Sequence, residues 1–376
     1  MTADEAGRPV TAAFYAAVED TLAGLLQTHQ DVIVLPGEAV LGLEAAARGI
    51  GGPGRRVLNI VTGPYGALLG TWLGAGGAQV TSLAAPAGRA VSLAAVESAL
   101  RAPGSYDAIA VVHAEAATGV VNPLASIAAL ARQAGALLVV DAVASVGAEP
   151  LLIDQWGLDV VIIGPQKALG GPSGVSAAVV SPRGWDALAA NPAAPRDSIL
   201  SLLDWRDRWL RPGRSILPTT PHHLETRALA AALSRMADGG LDAVVRRHRR
   251  ARDATRAGLQ ALGLSPYVAA DDEAASVATV AMLPPGTAPD GPARLLSAAA
   301  ATSSASGPDD SWLIAGPAFG SLADQAIRLN HTGPGAALAP ILATLAQLGY
   351  ALPDIGQDAD VGAALTAAAA HWHANG

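Results

Sequence analysis

The chain has 376 residues, and 32 Asp and Glu against 24 Lys and Arg leave a formal net charge of −8, a balance that argues against nucleic acid as a partner. It has no cysteine, which excludes disulfides, thiolate metal sites and cysteine nucleophiles together. Half of the residues are hydrophobic and 15% are charged, the make-up of a globular protein long enough for two domains and a large core.

The polar start MTADEAGRPV carries no apolar signal segment, so a cytoplasmic protein is expected. Thr11 to Thr28 sets Phe14, Val18, Leu22, Leu25 and Leu26 at helical spacing. Val32–Leu35 reads as a strand, followed by a Pro36-Gly37-Glu38 turn and a helix through Ala47. Val57–Ile60 is the next strand, with the turn Thr62-Gly63-Pro64-Tyr65-Gly66 and another helix behind it. Gln79–Leu83 and Ala108–Val112 are strands, the latter leading into His113–Gly119. A helix over Ser126–Gln133 precedes two more apolar runs, Leu137–Val140 and Asp159–Ile163. Strands alternating with helices at this pitch predict an α/β fold, a mostly parallel sheet between helices with right-handed crossovers.

Asn191 to Thr220 is rich in Pro, Arg and Trp without a clear period and reads as a long connection. Helical patterning returns from Leu224 to His248, and the cluster Arg246-Arg247-His248-Arg249-Arg250 within it reads as a solvated helix face. Val277–Met282 and Trp312–Ala315 are expected strands, Pro284 to Gly291 a surface loop, and Ala337–Leu348 and Ala363–Trp372 closing helices. These make a smaller C-terminal α+β domain over 216–376, against a large domain over 1–215. The charge-free run Gly335 to Leu352 is interrupted by Pro340, Thr344, Gln347 and Gly349, so it is read as a buried helix and no membrane partner is expected.

Two charged residues stand just past the ends of buried strands: Asp141 after Leu137–Val140, and Lys167 after Asp159–Ile163 and Gly164-Pro165-Gln166. In open α/β sheets ligands sit beyond the carboxyl ends of the strands, so both residues should face one crevice. Alone, Asp141 would be read as a loop cap and Lys167 as a solvated lysine. Together they match what pyridoxal chemistry needs. A lysine holds the aldehyde as a Schiff base, and a carboxylate keeps the pyridine nitrogen protonated as an electron sink. A desolvated pocket helps the lysine lose its proton.

The segments VDAVASVG (140–147), QWGLDVVIIGPQKALGGPSG (155–174) and VVHAEAATGVVNPL (111–124) resemble the fold-type I, class V aminotransferases, the alanine– and serine–glyoxylate aminotransferase group. The resemblance runs from about Thr11 to the C-terminus. LPGEAVLGLEAAA, LNIVTGPYG, LAANPAAPRDSILSLLDW and IRLNHTGPGA bring the chain nearest to members that use free pyridoxamine and pyruvate. The resemblance implies a homodimer with sites at the interface. It gives Lys167 the catalytic amine, Asp141 the ring nitrogen, Tyr65 one ring face, Val143 the other, and Gln166 a polar contact beside the lysine. Arg328, whose planar fork suits a carboxylate, takes the substrate's α-carboxylate. Thr219 and Thr220 would reach a phosphate from the partner subunit. His331 is left as a loop histidine.

Glu38 bears on the substrate. A helix start after a glycine turn offers free N–H groups to a phosphate. A carboxylate about 4 Å from a phosphate repels it by roughly 4 kcal/mol where the effective dielectric is about 20. Unphosphorylated pyridoxal or pyridoxamine bound at Lys167 is therefore one expectation, and pyridoxal 5'-phosphate the other. Glu38 could equally do no more than favour its helix dipole, worth about 0.3–1 kcal/mol. The sequence also departs from the family. The leading segment that walls the substrate entrance is expected to be missing, Ala116 and Ala117 replace hydroxyl-bearing residues, and Phe319 stands in for a second arginine. Three functions stay open: transfer from pyridoxamine to pyruvate giving pyridoxal and L-alanine, a phosphate-cofactor enzyme of the alanine/serine–glyoxylate type acting on a small 2-oxo acid, and a catalytically weak member with a binding or assembly role.

Overall fold

The computed structural model describes residues 8–236, 239–302 and 313–374. The polar residues 1–7 and Trp312, the expected start of a late strand, lie outside the described residues. The strands of the first part are β1 (Asp31–Pro36), β2 (Arg56–Val61), β3 (Gln79–Ala84), β4 (Ala108–Val112), the hairpin β5 (Ala114–Glu115) and β6 (Val120–Val121), β7 (Leu137–Asp141), β8 (Val160–Ile163) and β9 (Val175–Val180). Seven of them form one sheet in the order β1-β9-β8-β7-β4-β2-β3. Neighbours from β8 to β3 run parallel, and only β9 is antiparallel to the strands beside it.

Every residue of β4, β7, β8 and β9 is buried, as continuous Val, Ile and Ala runs require when both faces are covered. The edge strand β3 instead exposes Gln79, Thr81 and Ser82. Helix Ala12–Leu26 is capped by Thr11, whose hydroxyl accepts from the Phe14 N–H at 3.2 Å, and buries Tyr15, Val18, Leu22 and Leu26. Helix Ala39–Ile50 packs on β8 and β9.

A second, four-stranded antiparallel sheet follows, with β10 (Ser265–Pro266), β11 (Thr279–Met282), β12 (Ala315–Pro317) and β13 (Ala326–Leu329) in the order β10-β11-β13-β12. Helix Leu338–Ala351 covers it with Ile341, Leu345 and Leu348 at 0% exposure, so the long apolar run is core. The two cores part inside helix Gly240–Ala261: Val244 belongs to the large core, Ala251 and Leu259 to the small one. Leu229 and Leu233 of helix His223–Met236 also pack with the large sheet, so the expected boundary at 215/216 precedes the point where the cores separate.

Other expectations change. The helical run from Leu224 to His248 is broken, because Gly240 turns left-handed at φ +64° between helices His223–Met236 and Gly240–Ala261. The stretch Asn191–Thr220 contains a helix, Leu202–Trp205, continued by a π-helical turn, Arg206–Leu210. Trp205 stacks on Tyr15 at 5.9 Å and Trp209 meets it edge-on at 5.8 Å, aromatic burial that no periodicity signals. Helix Leu93–Arg101 and strand β9 are further elements beyond the sequence expectation.

Candidate active site

The turns after β1, β2, β4, β7 and β8 leave the sheet at one rim, and the residues they carry close around a cavity of about 70 Å³. Glu38, Tyr65, Ala116, Asp141, Val143 and Lys167 line it. The expected acid and amine therefore face a common space. Asp141 closes β7, opposite Val112 of β4 and Ile162 of β8. It is 5% exposed, and its Oδ1 accepts the Val143 N–H at 2.9 Å. Burial pushes its carboxyl up to about 6, against the opposing pull of that N–H and of the Lys167 ammonium.

Lys167 is half-buried and sits on the loop between β8 and β9. Desolvation lowers the affinity of its amine for a proton, outweighing Asp141 and Glu115, which favour the ammonium. Its Nζ lies 5.6 Å from the centroid of the Tyr65 ring, a cation–π contact across the slot. The slot of about 70 Å³ between them is small beside the roughly 300–1,000 Å³ of small-ligand pockets. Tyr65 is near the start of helix Pro64–Ala75 and half-buried. Burial and the neighbouring carboxylates raise its phenol above the usual range, with Arg328 opposing them. Gly164 must be a glycine, because a Cβ there would lie 2.6 Å from Val143 Cγ1 and 2.5 Å from Gln166 Oε1.

Glu38 is the N-cap of helix Ala39–Ile50. One carboxylate oxygen accepts the Val40 N–H at 2.7 Å and the other accepts the Gln166 side-chain amide at 2.7 Å. The N–H that would greet a phosphate is thus already paired with an anion of the chain itself.

Arg328 lies inside β13, opposite Val280 and Gly316. Its guanidinium donates to the Ala116 carbonyl at 3.4 Å and stacks 4.4 Å from the Phe319 ring. Among the described residues no carboxylate pairs with it, and its Nε is buried without an acceptor. A guanidinium with free donors has the geometry to pair with a carboxylate. Thr219 and Thr220 do not reach the cavity of their own chain. They are exposed in a separate cleft of about 370 Å³ beside Pro36, Trp205 and His222.

His331 lies in the loop after β13, as expected, but not at the surface. It is fully buried between Thr279 Oγ1 at 2.9 Å and the Ser276 carbonyl at 3.0 Å, and burial pushes it down to about 3. Two buried titratable groups beside the site were not anticipated. His113 follows β4, donates its backbone N–H to the Asp141 carbonyl at 2.9 Å and is pushed down to about 3 by burial. Glu115, at 0% exposure, is pushed up to about 7, chiefly by desolvation. The signal was present, since VVHAEAATG sets two ionisable side chains directly after an apolar strand.

The family profile for class-V aminotransferases matches residues 7–307. The pyridoxamine–pyruvate transaminase of Mesorhizobium japonicum is 33% identical over 362 residues, covering 96% of this chain and 89% of that protein. The crystal structure of pyridoxamine-pyruvate aminotransferase from Mesorhizobium loti superposes with a TM-score of 0.89 at 31% identity, over 99% of this chain and 94% of that one. That of ureidoglycine-glyoxylate aminotransferase from Bacillus subtilis gives 0.85 at 26% identity, over 98% and 94%.

Proposed function

The chain belongs to the class-V aminotransferases, and from that premise we propose that it carries an amino group between pyridoxamine and pyruvate, giving pyridoxal and L-alanine. The observation that carries this reading is Glu38. A B6 ring suits the residues present: an acid, a partly desolvated amine and an aromatic wall line one cavity, and the Arg328 guanidinium stands behind its Ala116 wall, on the Ala116 carbonyl. A phosphate at this helix N-terminus would meet the Glu38 carboxylate, which already accepts the Val40 N–H and engages Gln166, and this favours the unphosphorylated vitamer.

Bound there, pyridoxal supplies an electrophilic aldehyde carbon and a ring able to delocalise a pair of electrons. Asp141, ionised above about pH 6, opposes loss of the proton from the ring nitrogen. Lys167, whose amine burial makes easier to deprotonate, would supply the amine that anchors the aldehyde and the base that moves a proton between the amine carbon and C4′. Tyr65 and Val143 would hold the ring between them, and Arg328 would receive pyruvate's carboxylate. On this reading the protein works as a homodimer in the cytoplasm, without nucleic acid or membrane partners.

The phosphate-cofactor alternative, acting on glyoxylate or another small 2-oxo acid, draws on the exposed Thr219 and Thr220 hydroxyls beside Pro36. The separating experiment mixes the purified protein with pyridoxal or its phosphate, reduces with borohydride and maps the adduct by mass spectrometry. Capture of pyridoxal on Lys167 in preference to the phosphate, with pyridoxal released from pyridoxamine on adding pyruvate, is the expected result. Phosphate that arrives with the protein and survives dialysis overturns it.

A further inference from the structure

The hairpin β5–β6 lies between the residues assigned to the ring and the one assigned to the carboxylate. Glu115 Oε2 accepts the Gly66 N–H at 3.1 Å. The Thr118 hydroxyl donates to the Thr62 carbonyl at 3.2 Å, and the Asn122 amide donates to the Thr62 hydroxyl at 2.9 Å. The turn that carries Tyr65 is thus gripped at both ends. Gly63 is tailored to the same contact, since a Cβ there would lie 2.4 Å from Glu115 Cγ. On its far side the hairpin offers the Ala116 carbonyl to Arg328.

Resting on the reading of this cavity as a B6-ring site, we propose that Glu115 is its positioning residue: the carboxylate holds the turn Thr62–Gly66 so that the Tyr65 ring is fixed over the bound heterocycle. Glu115 does not itself meet the ring. The carboxylate is fully buried, and desolvation brings it to about 7 although the Gly66 and Ala117 backbone N–H groups favour its ionised form. A polar group kept at that cost is poorly explained as filler, whereas a clamp on a backbone N–H needs an acceptor at that reach.

The test separates reach from charge. Glu115→Gln keeps the length and an acceptor, and Glu115→Asp keeps the charge but falls short of Gly66. In the ligand-free chain, amide exchange across 62–66 should quicken about tenfold or more in Glu115→Asp and stay near wild type in Glu115→Gln. Pyridoxal affinity should fall about tenfold in Glu115→Asp and in Tyr65→Ala, and no further when the two are combined, as coupled residues behave. Unchanged exchange in Glu115→Asp, equal quickening in both Glu115 variants, or additive losses with Tyr65→Ala would each overturn the proposal. A wild-type chain that binds no pyridoxal would count against the pyridoxamine–pyruvate reading instead, and the exchange measurement would still decide the role of Glu115. If Glu115→Asp does not fold, Gly63→Ala, which sets a methyl against the same carboxylate, must loosen the turn in its place; an unaltered turn there overturns the proposal too.

Discussion

Gln166 and Glu38 are joined by a 2.7 Å hydrogen bond that ties the residue beside Lys167 to the first turn of helix Ala39–Ile50. The bond holds the Glu38 carboxylate on the Val40 N–H, where a phosphate would otherwise bind. Glu38→Ser should therefore raise affinity for pyridoxal 5'-phosphate by at least about tenfold, since a repulsion of roughly 4 kcal/mol at about 4 Å is relieved. Serine is itself a good N-cap, so the melting temperature should barely change. Equilibrium dialysis with both vitamers checks this, and an unaltered preference removes Glu38 from the specificity.

Asp141 should cost stability where it is ionised. Its folded-state pKa, about 6, lies above the unfolded value of about 3.9, so the folded chain binds the proton more tightly. Below about pH 4 both states are protonated and no penalty exists. The penalty grows as pH rises toward 6 and is constant above it. Ligand-free Asp141→Asn should match wild type in stability at pH 3 and exceed it at pH 8, by about 3 kcal/mol. Transamination should fall by several orders of magnitude in the same variant. A stability gain that is flat with pH would show that Asp141 does not titrate as described.

Arg328 is the only cation assigned to the substrate's carboxylate. Charge-assisted hydrogen bonds contribute about 1.5–3 kcal/mol, so Arg328→Gln should raise the KM for pyruvate by roughly ten- to a hundredfold. The KM for pyridoxamine, which has no carboxylate, should change much less. Equal effects on both would point to a general disturbance of the site.

Phe319 covers the guanidinium at 4.4 Å while remaining 44% exposed. Phe319→Ala should hydrate Arg328 and raise the KM for pyruvate by a fewfold, about 0.5–1 kcal/mol for an exposed cation–π pair. Phe319→Arg should recover affinity through a second guanidinium, and steady-state kinetics in pyruvate distinguishes the two.

Much of the site was legible because it sits where short-range patterns end. Asp141 and Lys167 each follow a buried apolar strand, and Tyr65 and Glu38 each follow a glycine turn. Residues whose role depends on distant partners were harder to read. Glu115 matters through Gly66, and Arg328 through Ala116 and Phe319, and neither relation has a spacing. The helix break at Gly240 was missed because apolar residues on both sides keep a helical period. His331 stands in a loop as expected, but its burial between Thr279 and Ser276 rests on partners distant in sequence and left no local trace.

The reversed direction of β9 has a mechanical result. A parallel successor to β8 would need a crossover across the sheet, and a lysine on that path would ride on a long excursion. Because β9 comes back beside β8, the segment 164–174 is pinned at both feet on the same rim. The amine is slung on a short bridge, both of whose ends are fixed in the sheet beside Tyr65.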